Sequence, residues 1–345
     1  MRAIVELSGE KQIPPFGRND NGGLWGRRRG LWARTWATAG AAVWAGMAVL
    51  AKMGISRVGA IELLFLFAPL VIVPLGMELG RGIAGGGWPH ELARRLQPGG
   101  AALAVVAMLL PPGRRAGSFA LGWLVVCLLM AGGGLFDLFF PASKNPDRSV
   151  RAIIAVGRID LAVGGAWLVA SRLGMRPMGI QEPIGLLTAV HFHFAGFATA
   201  MIAAATLRFA QKSGDTRWLR RLVVVVVAMP IVVAAGFVIS PGLKMAAAAT
   251  FSVSVAGLAI YLRACGARAE SAMARILLQA AAGAVFAAMV LALTYVIADY
   301  AGSDVLTIPQ MARTHGILNG VGFCLPGLLG WVVEGSGQGS GISGQ

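Results

Sequence analysis

An all-α, polytopic transmembrane bundle of about ten spans is the fold class this sequence predicts. Three observations carry that expectation. Of 345 residues, 57% are hydrophobic and only 13% charged, where soluble domains carry about 25% charged residues. Apolar runs recur along the chain, each long enough to cross a hydrocarbon core of ~30 Å as a helix. The Lys and Arg behind the net charge of +15 lie in short connections between those runs. That distribution orients a membrane protein; it does not form the basic face of a nucleic-acid-binding domain. The expected partner is therefore the lipid bilayer, and no nucleic acid.

Residues 1–30 are polar, with "GRRRG" at Gly26–Gly30, and read as a disordered basic cytoplasmic tail. The run Trp32–Met53 is too long for the apolar core of a signal peptide, which favours a true first helix. The next runs predict helix 2 at 58–80, helix 3 at 98–111, helix 4 at 117–140 and helix 5 at 152–173. Helix 6 follows at 184–207, helix 7 at 219–239, helix 8 at 243–262, helix 9 at 273–298 and helix 10 at 308–333. These spans form one domain, 31–333, and the Gly/Ser-rich stretch 334–345 reads as a flexible tail. Helix 3 is short unless it reaches back towards Leu92; without it, nine spans remain and everything downstream inverts. With ten spans both termini are cytoplasmic. Of 30 Lys and Arg, 21 then fall on the inner side and 7 on the outer, Arg158 and Arg313 lying within spans. This is the positive-inside bias of a multi-pass bacterial inner membrane protein. Cys127, Cys265 and Cys324 are far apart and odd in number, which suits packing residues better than a metal or disulfide framework.

Ionisable groups within spans are costly to insert and mark function by default. Helix 6 carries "LTAVHFHFAGF", Leu187–Phe197, which places His191 and His193 roughly 10–14 Å below the outer surface at ~1.5 Å per residue. Helix 10 carries "QMARTHGILNGVGF", Gln310–Phe323. It enters from the same side, so His315 and Asn319 fall at a similar depth. His191 and His193 stand about 200° apart on an ideal helix. One should face the bundle interior while the other bonds a neighbouring helix or lines another part of the cavity. His315 and Asn319, four apart, share a face. Gly316 and Gly320, and Gly196 in helix 6, allow close helix approach.

Further candidates in the outer leaflet are Glu62, Thr314, Tyr295 and Asp299, as substrate-binding groups. Glu78, Asp137, Arg158 and Asp160 form a second set in the inner half, either a structural network or an inner gate. His90, in "GGWPHEL", reads as a surface residue. Trp25, Trp32, Trp36 and Trp331 fit an interfacial belt. Two imidazoles at H-x-H spacing on a helix are poorly placed to share a metal, and no HExxH is present. No metal or other cofactor is expected. Zinc, or a haem ligated by His315 and one of the helix 6 histidines, stays as a third alternative.

Three segments, "WLVASRLGMRPMGIQEPI", "LLTAVHFHFAGF" and "MARTHGILNGVGF", resemble the YndJ-like family of bacterial multi-pass membrane proteins. The resemblance covers roughly residues 150–335 and rests on the pairing of HFHxAGF with THGxxN. The family is commonly labelled a transporter, so the resemblance points to His191, His193, His315 and Asn319 without supplying a reaction.

The leading expectation is an intramembrane acid–base enzyme, an isomerase, cyclase or similar, taking a hydrophobic small molecule. Its catalytic groups would be His191, His193, His315 and Asn319. The alternative is a proton-coupled or efflux transporter that uses the same histidines.

Overall fold

The protein, a computed structural model, is described over residues 31–56, 58–140, 147–303 and 305–337. The predicted tail at 1–30 and the last residues of the predicted Gly/Ser tail, 338–345, lie outside the described residues. Among the described residues ten helices run up and down the bundle: α1 Leu31–Lys52, α2 Ala60–Ala84, α3 Trp88–Leu109, α4 Arg114–Phe139, α5 Arg148–Leu173, α6 Ile184–Ser213, α7 Arg217–Ile239, α8 Pro241–Gly266, α9 Ala272–Tyr300 and α10 Ile308–Gly335. Eight of them are long and apolar enough to cross a membrane; α1 and α3 are the two that fall short in hydropathy.

Helix α3 corrects the expected boundary. It begins at Trp88, ten residues before the predicted start, and its 22 residues give a length of about 33 Å. Polar first turns and Pro98–Gly99–Gly100 dilute the apolar signal there. Glu91 binds Arg94 at 2.9 Å and Arg95 at 3.4 Å, which ties the first turns by helical ion pairs. The last segment of α10 stays helical to Gly337, four residues into the predicted tail.

Helices α2 and α6 form the centre. In α2 the stretch from Leu64 to Gly80 is continuously buried, and in α6 Gly196 to Leu207 likewise. A helix apolar on every face belongs inside a bundle. Around this pair, α3, α4 and α5 pack in sequence on one side, and α7, α8, α9 and α10 on the other.

Three helices contain π turns: α2 at Ala68–Ile72, α6 at Phe192–Ala198, and α10 at Ala312–Gly316 and Leu318–Cys324. A π turn adds one residue to a helical turn and recurs at functional sites. In α2 the cause is legible. Pro69 has no N–H to bond the preceding turn, and its own carbonyl accepts from Gln97 Nε2 of α3 at 2.7 Å. In α6 the Thr199 hydroxyl donates to the Phe194 carbonyl five residues back, at 3.0 Å.

The connections sort into two faces. One carries Arg81, Arg94, Arg95, Arg208, Lys212, Arg217, Arg220, Arg221, Arg263, Arg268 and Arg275 and is called the basic face below; the other carries few cations. His90 is a correction. Only 1% of its surface is exposed, because the start of α3 is tucked beneath the α2–α3 glycines and Gly86 rests against its ring. Trp331 is also inside, tilted against Phe209 with centroids 5.2 Å apart, so it is not part of a lipid-facing belt. All three cysteines are buried and free.

Candidate functional site

In the half of the bundle away from the basic face lies a cavity of about 290 Å³. Its wall is built from α6, the end of α7, the first half of α8, the last half of α9, the first half of α10, and Leu64 of α2. Most of the wall is aliphatic or aromatic, including Phe194, Phe237, Phe251 and Val255. The polar exceptions, which include Thr188, come from α6, α8, α9 and α10 and fall at different distances from the helix ends. Lys244 and Asp299 stand at the mouth, Tyr295 one turn below, then His191 and His315, then Asn319 and Ser252, with Thr199 deepest.

Helix α6 separates its two histidines. His191 lines the cavity, edge-on to Phe251 at a centroid distance of 6.1 Å. The Pro230 carbonyl of α7 lies beside its ring. Its Nε2 is buried and has no hydrogen-bond partner, a condition that costs free energy unless something else satisfies it.

His193 faces the other way, towards α4 and α5, and is fully buried. Trp123 Nε1 donates to its Nε2 at 2.9 Å. An indole nitrogen can only donate, so Nε2 is the acceptor. The proton therefore sits on Nδ1, which bonds the Ala189 carbonyl at 2.7 Å. Both ring nitrogens are engaged, and Gly164 leaves no room beyond them; a Cβ there would sit 2.6 Å from Nδ1. The two histidines face opposite ways, as their spacing predicts, which corrects the expectation that His193 belongs with His191 among the catalytic groups. His193 does not reach the cavity.

His315 and Asn319 come together as their spacing predicts. His315 Nδ1 lies 2.9 Å from the Ala288 carbonyl of α9, which makes it the N–H side of the ring. Asn319 Nδ2 is 2.9 Å from Nε2 and 3.4 Å from Nδ1 at once, and 3.2 Å from the His315 carbonyl. A donor in the ring plane, aimed at the Nε2 lone pair, would be much farther from Nδ1. The amide therefore lies over the ring face and leaves that lone pair able to take a proton. The Gly316–Gly320 face admits Leu64 and Phe194, which brings α10 against α2 and α6.

Of the other predicted residues, Tyr295 and Asp299 line the cavity and two do not. Glu62 folds back over Gly59, where a Cβ would meet its Oε2 at 2.7 Å. Its charge is within reach of Arg172 at the end of α5. Thr314 is exposed, and its hydroxyl donates to the Gln310 carbonyl at 2.8 Å. Lys244 was not expected. It binds Asp299 at 2.6 Å and lies 5.3 Å from the Phe237 ring centre. The available signal was its position, a lone Lys at the start of an otherwise apolar helix.

The inner set is separate. Arg158 Nη1 binds Asp137 Oδ2 at 2.6 Å and its Nη2 lies 3.5 Å from the Gly85 carbonyl. Buried Phe197 and Met201 pack against Gly76, Gly80 and Gly157 between this pair and the cavity. Asp160 has 0% exposure, sits against Gly196, and both its carboxyl oxygens lack partners. Among the described residues no three or more His, Cys, Asp or Glu converge as a metal site requires.

A family model described as "YndJ-like protein" matches residues 63–323, a stretch that contains every residue lining the cavity, Leu64 to Asn319. Among curated proteins, one from Bacillus subtilis (strain 168), named "Uncharacterized membrane protein YndJ", is 28% identical over 222 residues, 63% of this chain and 39% of that protein. The match thus spans well under half of that relative's length. No solved structure matches the chain at a significant level.

Proposed function

This chain belongs to the YndJ-like family of membrane proteins, and we propose that it is an intramembrane acid–base enzyme acting on an apolar or amphipathic small molecule. One observation carries the reading: two imidazoles and an amide from α6 and α10 share an apolar cavity, and His191 Nε2 there has no protein partner. In this reading the basic face lies in the cytoplasm and the cavity opens in the outer half of the plasma membrane, following the charge bias.

The proposed roles build on these contacts. His315, held as the Nδ1–H tautomer by the Ala288 carbonyl, presents Nε2 as a base. His191 takes the complementary part, and Asn319 holds a substrate oxygen. As an isomerisation the reaction balances with His191 protonated and His315 neutral at the start: His315 Nε2 takes a proton from one carbon, His191 Nε2 gives one to another, and a proton passed from His315 back to His191 restores both. Protonation of an alkene followed by ring closure and loss of a proton balances as a cyclisation. Positioned acid–base groups contribute about 10²–10⁴-fold, and the apolar wall keeps water from a reactive intermediate.

A second reading, a proton-coupled transporter, has its own support in Asp160, a buried carboxyl without a partner between the cavity and the Arg158–Asp137 pair. Comparing metabolites separates the two. Whole lysates and separated compartments are analysed for cells with the wild-type chain, a deletion, His191→Ala and His315→Ala. The enzyme reading predicts loss of one compound and accumulation of a precursor of equal mass, or of mass differing by water. The same compound made in full but found on the wrong side of the membrane sinks that reading in favour of transport.

A further inference from the structure

The geometry points to a single-chain amphiphile with an anionic head as the ligand of this cavity, its head held by Lys244 at the mouth and its neutral body beside His191 and His315. The inference rests on the cavity being a substrate site and goes further, to the class of substrate. Among the described residues, Lys244 and Asp299 are the only Lys, Arg, Asp or Glu on the cavity wall. Deeper down the wall offers imidazole, amide and hydroxyl groups set among apolar side chains. An unpaired charge buried there has a large desolvation cost, so any ionic part of a ligand belongs at the mouth and the reacting part is uncharged.

The sign of that ionic part follows from the helix ends. Lys244 is in the first turn of α8 and Asp299 in the last turn of α9. Both are reversed relative to the helix dipoles, which favour anions at an N-terminus and cations at a C-terminus. Each charge is held mainly by the other, at 2.6 Å, with 23% and 33% of the two side chains exposed. An incoming anion at the start of α8 meets Lys244 and the positive end of that helix together. Asp299, at the very end of α9, is left free to turn to water. A cationic head would have to take Asp299 and displace Lys244, yet Lys244 is the less exposed partner, 23% against 33%, and its ammonium lies 5.3 Å from the ring centre of Phe237, which lines the cavity. The backbone that carries Lys244 is held in place by the α7–α8 turn, where a Cβ on Gly236 would lie 2.5 Å from the Lys244 Cα.

Size limits the body. A volume of about 290 Å³ is at the lower end of small-molecule sites, which run from roughly 300 to 1,000 Å³. One acyl or prenyl-like chain suits it, and a two-chain lipid does not. A carboxylate and a phosphate monoester share the required head chemistry.

The test uses the full chain in phosphatidylcholine nanodiscs and four probes of equal chain length: dodecanoate, dodecyl phosphate, dodecanol and dodecyltrimethylammonium. Binding is read from the concentration dependence of thermal stabilisation. The wild type is expected to prefer the anions over dodecanol by roughly tenfold, the scale of one charge-assisted contact. Whichever anion binds tighter identifies the head. Lys244→Ala should lose that preference and keep dodecanol binding, which also shows that it folds. Asp299→Asn releases Lys244 from its partner and should tighten the anions, so it carries the test if Lys244→Ala is unstable. Equal binding of all four heads, a preference for the cation, or weaker anion binding by Asp299→Asn overturns the inference. The enzyme reading fails separately: His191→Ala cells that keep a normal metabolite profile sink it, while an intact anion preference leaves the head-group assignment standing.

Discussion

The two halves of this bundle both bury polar groups, but they do so on different terms. Near the basic face, Arg158 and Asp137 meet directly at 2.6 Å in a tightly packed layer beneath Phe197 and Met201. In the other half, His191, His315 and Asn319 surround a void, and a ring nitrogen is left without a partner. Cost of burial alone does not distinguish a site from a structural pair. The distinguishing feature is an unsatisfied group beside space that a ligand can fill. Mutations on the two sides should therefore separate activity from stability.

The largest contrast is expected at the imidazoles. His191→Ala and His315→Ala should lower product formation by about 10²–10⁴-fold and leave thermal unfolding close to wild type. Product assays and melting curves on the same preparations check this; a large fall in Tm with unchanged product would place the histidines on the structural side. Next is the inner pair. Asp137→Ala leaves Arg158, 1% exposed, without its counter-charge, a loss of about 3–5 kcal/mol. The double variant Asp137→Leu/Arg158→Met should recover most of it. Failure of that recovery would assign the pair a role beyond holding helices together.

A smaller effect tests the histidine that left the cavity. Trp123→Phe removes the donor to His193 Nε2 and leaves that acceptor buried, costing about 1–3 kcal/mol with product per folded molecule little changed. Smallest is an effect at the membrane surface. The Asp147 carboxyl sits below its ordinary pKa, chiefly because the Ser149 backbone N–H donates to it, with the Arg220 charge adding to the shift. A lowered pKa contributes stability that is present above the ordinary carboxylate range. It is lost as pH falls through the folded value. Asp147 caps α5, so Asp147→Ala should cost about 1 kcal/mol at neutral pH and less below the carboxylate range. A difference that grows on acidification would contradict this.

Much of this arrangement was legible beforehand, and the exceptions are instructive. Counting residues from the helix ends put His191 and His315 at one depth, and they line one cavity. The 200° between His191 and His193 required one of them to face away, and His193 does. The sequence could not show which one, because the deciding contact is Trp123, 70 residues distant. Glu62 and Thr314 had the right depth and the wrong direction. Lys244 had a visible position but no visible partner until Asp299 came alongside it. His90 looked like a loop residue because the helix it belongs to opens with charges and contains a proline.

What the sequence determined by itself is whatever depends on distance along the chain: ten apolar segments, their alternating direction, the bias of cations to one face, and the depth of each polar group. Those follow from rise per residue and from the cost of placing charge in hydrocarbon. The tertiary structure alone decided which faces meet. Rotation about each helix axis is set by packing against neighbours distant in sequence. The π turns in α6 and α10 shift that rotation by one residue where the cavity is built. A cavity is a place where packing stops, and no single helix encodes that on its own.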